Sequence, residues 1–200
     1  DKYLYEKKAG GYRLNTDFKE EKFDFGRMFG FAYGEKENGA VFSHMAVMYA
    51  NALYKRGFIK EGYKVLKNLL DSAMDFENSI MYPGIPEYFD NDGRGLYAYL
   101  TGAASWYMLT MITEVFGVRG ELGNLVIKPA LLPEQFDKDG KAAIKLNFSG
   151  RTLKITIHAD IDNIQDNNGV YNKIIRMECD GNELESADLK KVVIMKKRIE

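Results

Sequence analysis

The residues of this 200-residue chain that could do chemistry fall in three places. His44 follows the polar turn Glu35-Lys36-Glu37-Asn38-Gly39 at the start of an apolar, helix-periodic run, where backbone N–H groups and the helix dipole favour an anion. An imidazole there can donate to phosphate, or it can be a buried, satisfied core histidine. Thr101-Gly102 repeats the theme, with a Thr at the N-cap and a Gly whose bare backbone admits a ligand ahead of another apolar run. Read alone, it is equally a plain N-cap. Between them, Glu87, Asp90, Asp92 and Arg94 stand among Tyr82, Tyr88, Phe89 and Tyr97. Aromatic platforms with carboxylates that accept hydroxyl hydrogen bonds suit a carbohydrate cleft, with Glu87 and Tyr88 the substrate-binding candidates, and they equally suit a solvated loop. His158 alternates onto the polar face of a strand and is assigned nothing.

Other chemistries are excluded by what is missing. Two histidines and one cysteine, Cys179, cannot build a multi-His or multi-thiolate metal site or an internal disulfide, so no metal is expected and a reducing, cytoplasmic location is. No Gly-X-Gly-X-X-Gly, P-loop or Gly-X-Ser-X-Gly pattern occurs. With 28 Lys+Arg against 29 Asp+Glu the net charge is −1, which gives no general attraction to nucleic acid or anionic lipid. No apolar run approaches a membrane span and no signal-peptide core opens the chain, so neither membrane nor nucleic-acid partners are expected. At 46% hydrophobic residues the chain is foldable, and its opening on Asp1 reads as a segment of something longer.

The elements that must position these residues change character along the chain. Val41, Met45, Met48, Ala52 and Leu53 recur at helical steps up to a stop at Gly57, predicting a helix from Val41 to Arg56 with that stripe inward. A second helix is predicted from Glu61 to Phe76, with Tyr63, Val65, Leu66, Leu69, Leu70, Ala73 and Met74 on its apolar face. Residues 78–99 lose all period and read as one long loop. A third helix opens after Thr101 and continues through Trp106, Leu109, Met111, Ile112, Val115 and Phe116 to Gly117, nearly apolar all round and therefore expected to be buried.

Beyond Gly120 the period becomes two. Ile144, Leu146 and Phe148 alternate with polar residues, Ser149-Gly150 turns the chain, and Leu153, Ile155 and Ile157 alternate back, predicting a hairpin with one buried face. Leu125-Val126-Ile127, Ile174 to Cys179 and Val192 to Met195 read as further strands, and Asp160 to Gly169 as a polar loop.

Two of these segments carry a resemblance. Lys36-Glu37-Asn38-Gly39-Ala40-Val41-Phe42-Ser43-His44 is similar to the Lys-Glu-Asn-Gly-Gly-Ile-Phe-Cys-His of the glycoside phosphorylases of glycoside hydrolase family 94, formerly glycosyltransferase family 36. Leu100-Thr101-Gly102-Ala103-Ala104-Ser105-Trp106 is similar to that family's Leu-Thr-Gly-Thr-Ala-Ser-Trp. Phe116-Gly117-Val118-Arg119-Gly120 and Leu125-Val126-Ile127-Lys128-Pro129 also resemble its exit into the terminal β-domain, and the likeness is firm over residues 34–136.

The resemblance implies a mixed fold: residues 1–117 as the last helices of a catalytic (α/α)6 barrel, and residues 118–200 as an antiparallel β-sandwich. It implies that His44, Thr101 and Gly102 bind the attacking phosphate. The family's general acid is an Asp in an upstream Asp-Trp-Asn-type motif that this chain lacks, so no catalytic residue is assigned here. Asp90-Asn91-Asp92-Gly93 stands on the wrong side of the His motif to replace it.

An inverting glycosidase needs two carboxylates, whereas a phosphorylase replaces the one that activates water with a bound anion that is itself the nucleophile. The implied reaction cleaves a β-linked glucoside or oligosaccharide with inorganic phosphate as co-substrate, gives an α-sugar 1-phosphate, and needs no cofactor. Pro83-Gly84-Ile85-Pro86-Glu87-Tyr88-Phe89 differs from the cellobiose- and chitobiose-type loops, leaving the linkage open. The upstream part of the same protein and a second copy are the expected partners. The alternatives are a non-catalytic carbohydrate- or partner-binding module and an inverting (α/α)6 glycoside hydrolase, for which Glu87 is the nearest second carboxylate.

Overall fold

The computed structural model describes residues 2–82, 84–98, 102–159, 170–171, 178–179, 182–183 and 192–194. The chain divides into two compact units, residues 1–110 and 111–200.

In the first unit a short antiparallel pair, β1 (Tyr5–Glu6) and β2 (Gly11–Tyr12), is followed by two 3₁₀ turns at Phe23–Phe25 and Arg27–Gly30. Then come β3 (Val41–Phe42), α1 (Ser43–Lys55), α2 (Ile59–Met74) and the single turn α3 (Phe76–Ser79). They lead to β4 (Tyr88–Phe89), β5 (Gly95–Leu96) and α4 (Gly102–Thr110). The helix stop at Gly57 is where the sequence places it: φ there is +82°, and its N–H caps the Tyr54 carbonyl at 2.9 Å.

The stripe of α1 is not the expected one. Met45, Met48 and Ala52 are exposed, and the buried face is Ser43, Ala46, Val47, Ala50, Asn51 and Tyr54. Small side chains at these positions let α1 approach both α2 and α4 closely, so shape rather than hydrophobicity chose the face. On α2 the buried face, Ile59, Gly62, Val65, Leu66, Leu69 and Ala73, matches expectation apart from Leu70 and Met74, which are exposed, and Tyr63, which is half-buried.

The expected long loop contains β4 and β5, which join β3 in a three-stranded antiparallel sheet in the order β3-β4-β5. Two-residue strands are too short to print an alternation, which is why no period announces them. The third helix is also corrected, because only Ala103 and Thr110 of α4 are buried while Met108 is 60% exposed. Among the described residues α4 packs mainly on α1 and reaches α2 through Tyr107, whose hydroxyl donates to the Leu66 carbonyl at 3.4 Å, so an all-apolar sequence is covered on one side only.

The second unit opens with a π-helical segment, Met111–Val115, whose register shows in the Phe116 N–H donating to the Met111 carbonyl at 2.9 Å. Glu114, buried in it, forms an ion pair with Arg119, whose Nε also donates to the Thr113 carbonyl at 2.7 Å. The strands are β6 (Val118–Glu121), β7 (Asn124–Ile127), β8 (Lys141–Phe148), β9 (Arg151–His158), β10 (Glu178–Cys179), β11 (Asn182–Glu183) and β12 (Val192–Ile194). β12-β7-β6 form one antiparallel sheet, and β8-β9 and β10-β11 are separate pairs.

The β8-β9 hairpin has the expected turn and register: Ser149 and Gly150 both take positive φ, and Ile144 faces Ile155 as Leu146 faces Leu153. The 160–169 loop, residues 174–177 and Met195 lie outside the described residues.

These elements overturn the expected fold class. A helical barrel needs a closed ring of helices, yet the described residues hold three helices longer than a single turn, and α2 and α4 leave outer apolar side chains in solvent. Among the described residues the β part forms three small antiparallel sheets rather than the sandwich that was expected. No described helix is long and apolar enough to cross a membrane.

Candidate functional site

His44 and Gly102, 58 positions apart in the chain, meet in space. A Cβ on Gly102 would stand 2.5 Å from the His44 Cε1 and 2.7 Å from its Nδ1. Two turns on in each helix, the buried Asn51 Nδ2 of α1 donates to Thr110 Oγ1 of α4 at 3.1 Å. Contact between the two helix starts and again between residues two turns later means that α1 and α4 run parallel, with their N-termini side by side. Both positive dipole ends therefore fall at one place.

The cap of α1 is Phe42, which offers no side-chain acceptor. The Ser43 N–H is taken by the Glu87 carbonyl at 2.9 Å, which brings the loop residue Glu87 to the same helix end. Ser43 Oγ and His44 Nε2 are both buried without a hydrogen-bond partner among the described residues. The His44 ring lies 5.8 Å from the ring of Trp106, tilted by 52°. Thr101 lies outside the described residues.

The polar turn is built as a tight bend: the Asn38 N–H donates to the Glu35 carbonyl at 2.9 Å, with Lys36 in the left-handed region at φ +44°. Asn38 Nδ2 ties back to the Phe31 carbonyl at 2.8 Å, and Arg13 donates to the Gly39 carbonyl and to Asn91 Oδ1, both at 2.8 Å.

Tyr88 joins this turn to the β3-β4-β5 sheet. It is buried, stacks on Phe42 with ring centroids 6.3 Å apart, and donates its hydroxyl to Glu35 Oε2 at 2.7 Å. Burial first, and the Glu35 carboxylate second, hold the Tyr88 phenol protonated well above its ordinary range. Tyr97, also at positive φ, carries the Lys36 ammonium 4.2 Å from its ring centroid and lies 5.9 Å from the Tyr88 ring.

The described site candidates His44, Gly102, Glu87 and Tyr88 thus gather around the start of α1. Asp92 does not join them, since its carboxylate is exposed and paired with Lys8 at 2.9 Å. Asp90 is spent on its own turn, accepting from the Asp92 and Arg94 N–H groups at 2.9 and 3.0 Å. Sequence reasoning missed Glu37 and Ser43, each with a buried side-chain oxygen that has no partner among the described residues and is still able to take a ligand. Their signal was placement, one in the polar turn and one directly before the histidine, and spacing alone gave neither a role. Among the described residues no group of three or more His, Cys, Asp or Glu side chains could hold a metal ion.

No family model matches the chain, and its likeness to known proteins is distant. The chain is 26% identical over 147 residues to a cellobionic acid phosphorylase of Neurospora crassa, covering 67% of this chain and 18% of that protein. The chain therefore spans less than a fifth of the length of the curated relative it matches, and it shares a distant relationship with a phosphorylase.

Proposed function

We propose that this chain is part of an inverting glycoside phosphorylase, of the family 94 type, in which His44, Thr101 and Gly102 hold the attacking phosphate. The observation that carries it is the meeting of His44 and Gly102 at two parallel helix N-termini, with His44 Nε2 buried and without a partner among the described residues. A dianion suits that place: two dipole ends attract it and the imidazole supplies a donor. The distant phosphorylase similarity agrees in kind.

Phosphate fixed in line with an anomeric carbon supplies orientation and a nucleophile that needs no base to activate it. The proton for the leaving oxygen comes from an acid outside this chain. Glu87 and Glu37 are placed to accept sugar hydroxyls, and Tyr88 fixes the turn that carries Glu37.

In the complete protein, turnover of a β-linked glucoside is expected to stop without inorganic phosphate and to yield an α-sugar 1-phosphate with it. Equal turnover in phosphate-free buffer would sink this reading. His44→Ala should remove one charge-assisted contact, about 1.5–3 kcal/mol, and weaken apparent phosphate affinity roughly tenfold to a hundredfold while sugar affinity measured without phosphate holds. Glu87→Gln should mainly raise the sugar KM, whereas a hydrolase using Glu87 as its base would lose nearly all turnover.

A further inference from the structure

Trp106 lies one helical turn after Gly102 on α4, so both face the same neighbour, α1. α4 thereby offers His44 a bare backbone position followed by an indole. At Gly102 the imidazole occupies the space a side chain would fill, 2.5 Å from the Cβ position, and at Trp106 it lies 5.8 Å from the indole ring. Held there, the ring keeps Nε2 buried with no partner among the described residues. A buried, unpaired imidazole nitrogen is costly, and a half-buried side chain near a helix start has other rotamers that would return it to water. Something must therefore hold the ring in place, and Trp106 is the large side chain whose ring lies against it.

We propose that Trp106 is a positioning residue for His44: with Gly102 it forms a slot that fixes the imidazole in the orientation that leaves Nε2 open to a ligand. The slot is a geometric claim. Its consequence for phosphate rests on the function proposed above, and the two can fail separately.

The chain has two histidines and one tryptophan, so ring resonances assign readily by NMR, with His158, which is exposed, as an internal reference. In the 200-residue chain, a strong nuclear Overhauser effect is expected between the Gly102 Hα protons and His44 Hε1, without any ligand. Trp106→Leu should abolish this cross-peak while the amide spectrum and the His158 resonances stay put, and Trp106→Phe should keep it. If Trp106→Leu does not fold, Trp106→Met takes its place. A cross-peak missing from the wild type, or undiminished in Trp106→Leu or Trp106→Met, overturns the proposal.

Inorganic phosphate is then titrated into the same samples. The apparent affinity should fall about tenfold in Trp106→Leu and within about threefold in Trp106→Phe. In the complete protein the loss should appear in the phosphate KM and not in the sugar KM. A wild type blind to phosphate, whose cross-peak nevertheless disappears in Trp106→Leu, would leave the slot standing and remove the phosphate reading. Disappearance of the cross-peak in Trp106→Leu with phosphate affinity unchanged would end the positioning role.

Discussion

At the scale of single residues, the site depends on what is absent at Gly102 and on what stays protonated at Tyr88. The bare α-carbon reads from sequence as room for a ligand, but the structure fills that room with the His44 ring. Gly102→Ala therefore acts through the histidine: the methyl displaces the imidazole, which can swing because it is the free end of a side chain. Helix propensity favours Ala over Gly by up to about 1 kcal/mol, so thermal stability should hold or rise while phosphate affinity falls. Melting curves alongside phosphate titrations check this, and a parallel loss of both would return Gly102 to a packing role. Tyr88 carries a pH prediction whose sign follows from its raised phenol pKa. The stabilisation is fully present below the ordinary tyrosine value and is lost as pH rises through the higher folded value. The urea midpoint should fall between about pH 9 and 11, less steeply in Tyr88→Phe. Some slope should remain, because burial first raises the Tyr107 phenol too, to about 12, and Tyr12 in the same direction.

At the scale of elements, the parallel alignment of α1 and α4 is secured by the buried Asn51–Thr110 hydrogen bond. Asn51→Ala leaves Thr110 Oγ1 without its donor and should cost about 1–3 kcal/mol, whereas the double variant Asn51→Ala/Thr110→Val should cost less than the two single changes together. Equal additivity in urea melts would show that the pair does not couple the helices. The β6-β7 turn gives the opposite case. Leu122 takes φ +51° ahead of Gly123 and is fully exposed, so Leu122→Gly removes backbone strain without disturbing any packing, and should stabilise by about 1 kcal/mol. Elements differed in how readable they were. The β8-β9 hairpin was legible down to its register, because Ser149-Gly150 fixes a two-residue turn and alternation does the rest. The Gly57 stop was legible for the same local reason. The face of α1 was not: Ala46, Ala50 and Ser43 lose to Met45 and Met48 on any hydrophobicity count, and close approach to two neighbouring helices reverses the order. The site was legible as two helix starts, but their meeting is a long-range fact that neither motif contains.

At the scale of the whole molecule, the outer helix faces matter most. Met45, Met48 and Tyr49 make an exposed stripe on α1, Leu70 and Met74 another on α2, and Met108 and Leu109 a third on α4. Between Ser43 and Tyr54, and again between Gly102 and Thr113, the sequence holds no Asp, Glu, Lys or Arg, so the α1 and α4 faces have no charged rim of their own. Apolar area in water drives association, and a net charge of −1 supplies almost no repulsion to oppose it. The 200-residue chain in isolation should therefore self-associate as its concentration rises, more strongly in salts that strengthen apolar burial. Met45→Glu with Met108→Glu should shift the equilibrium towards monomer, because each puts a like charge on a face that must be covered. Neither side chain belongs to the buried core, so stability should change by less than about 1 kcal/mol. Light scattering over a concentration series, paired with urea melts, separates the outcomes. A wild-type chain that stays monomeric throughout the series would show that these faces do not drive assembly. A double variant that loses several kcal/mol would mean that Met45 and Met108 pack inside the fold rather than outside it.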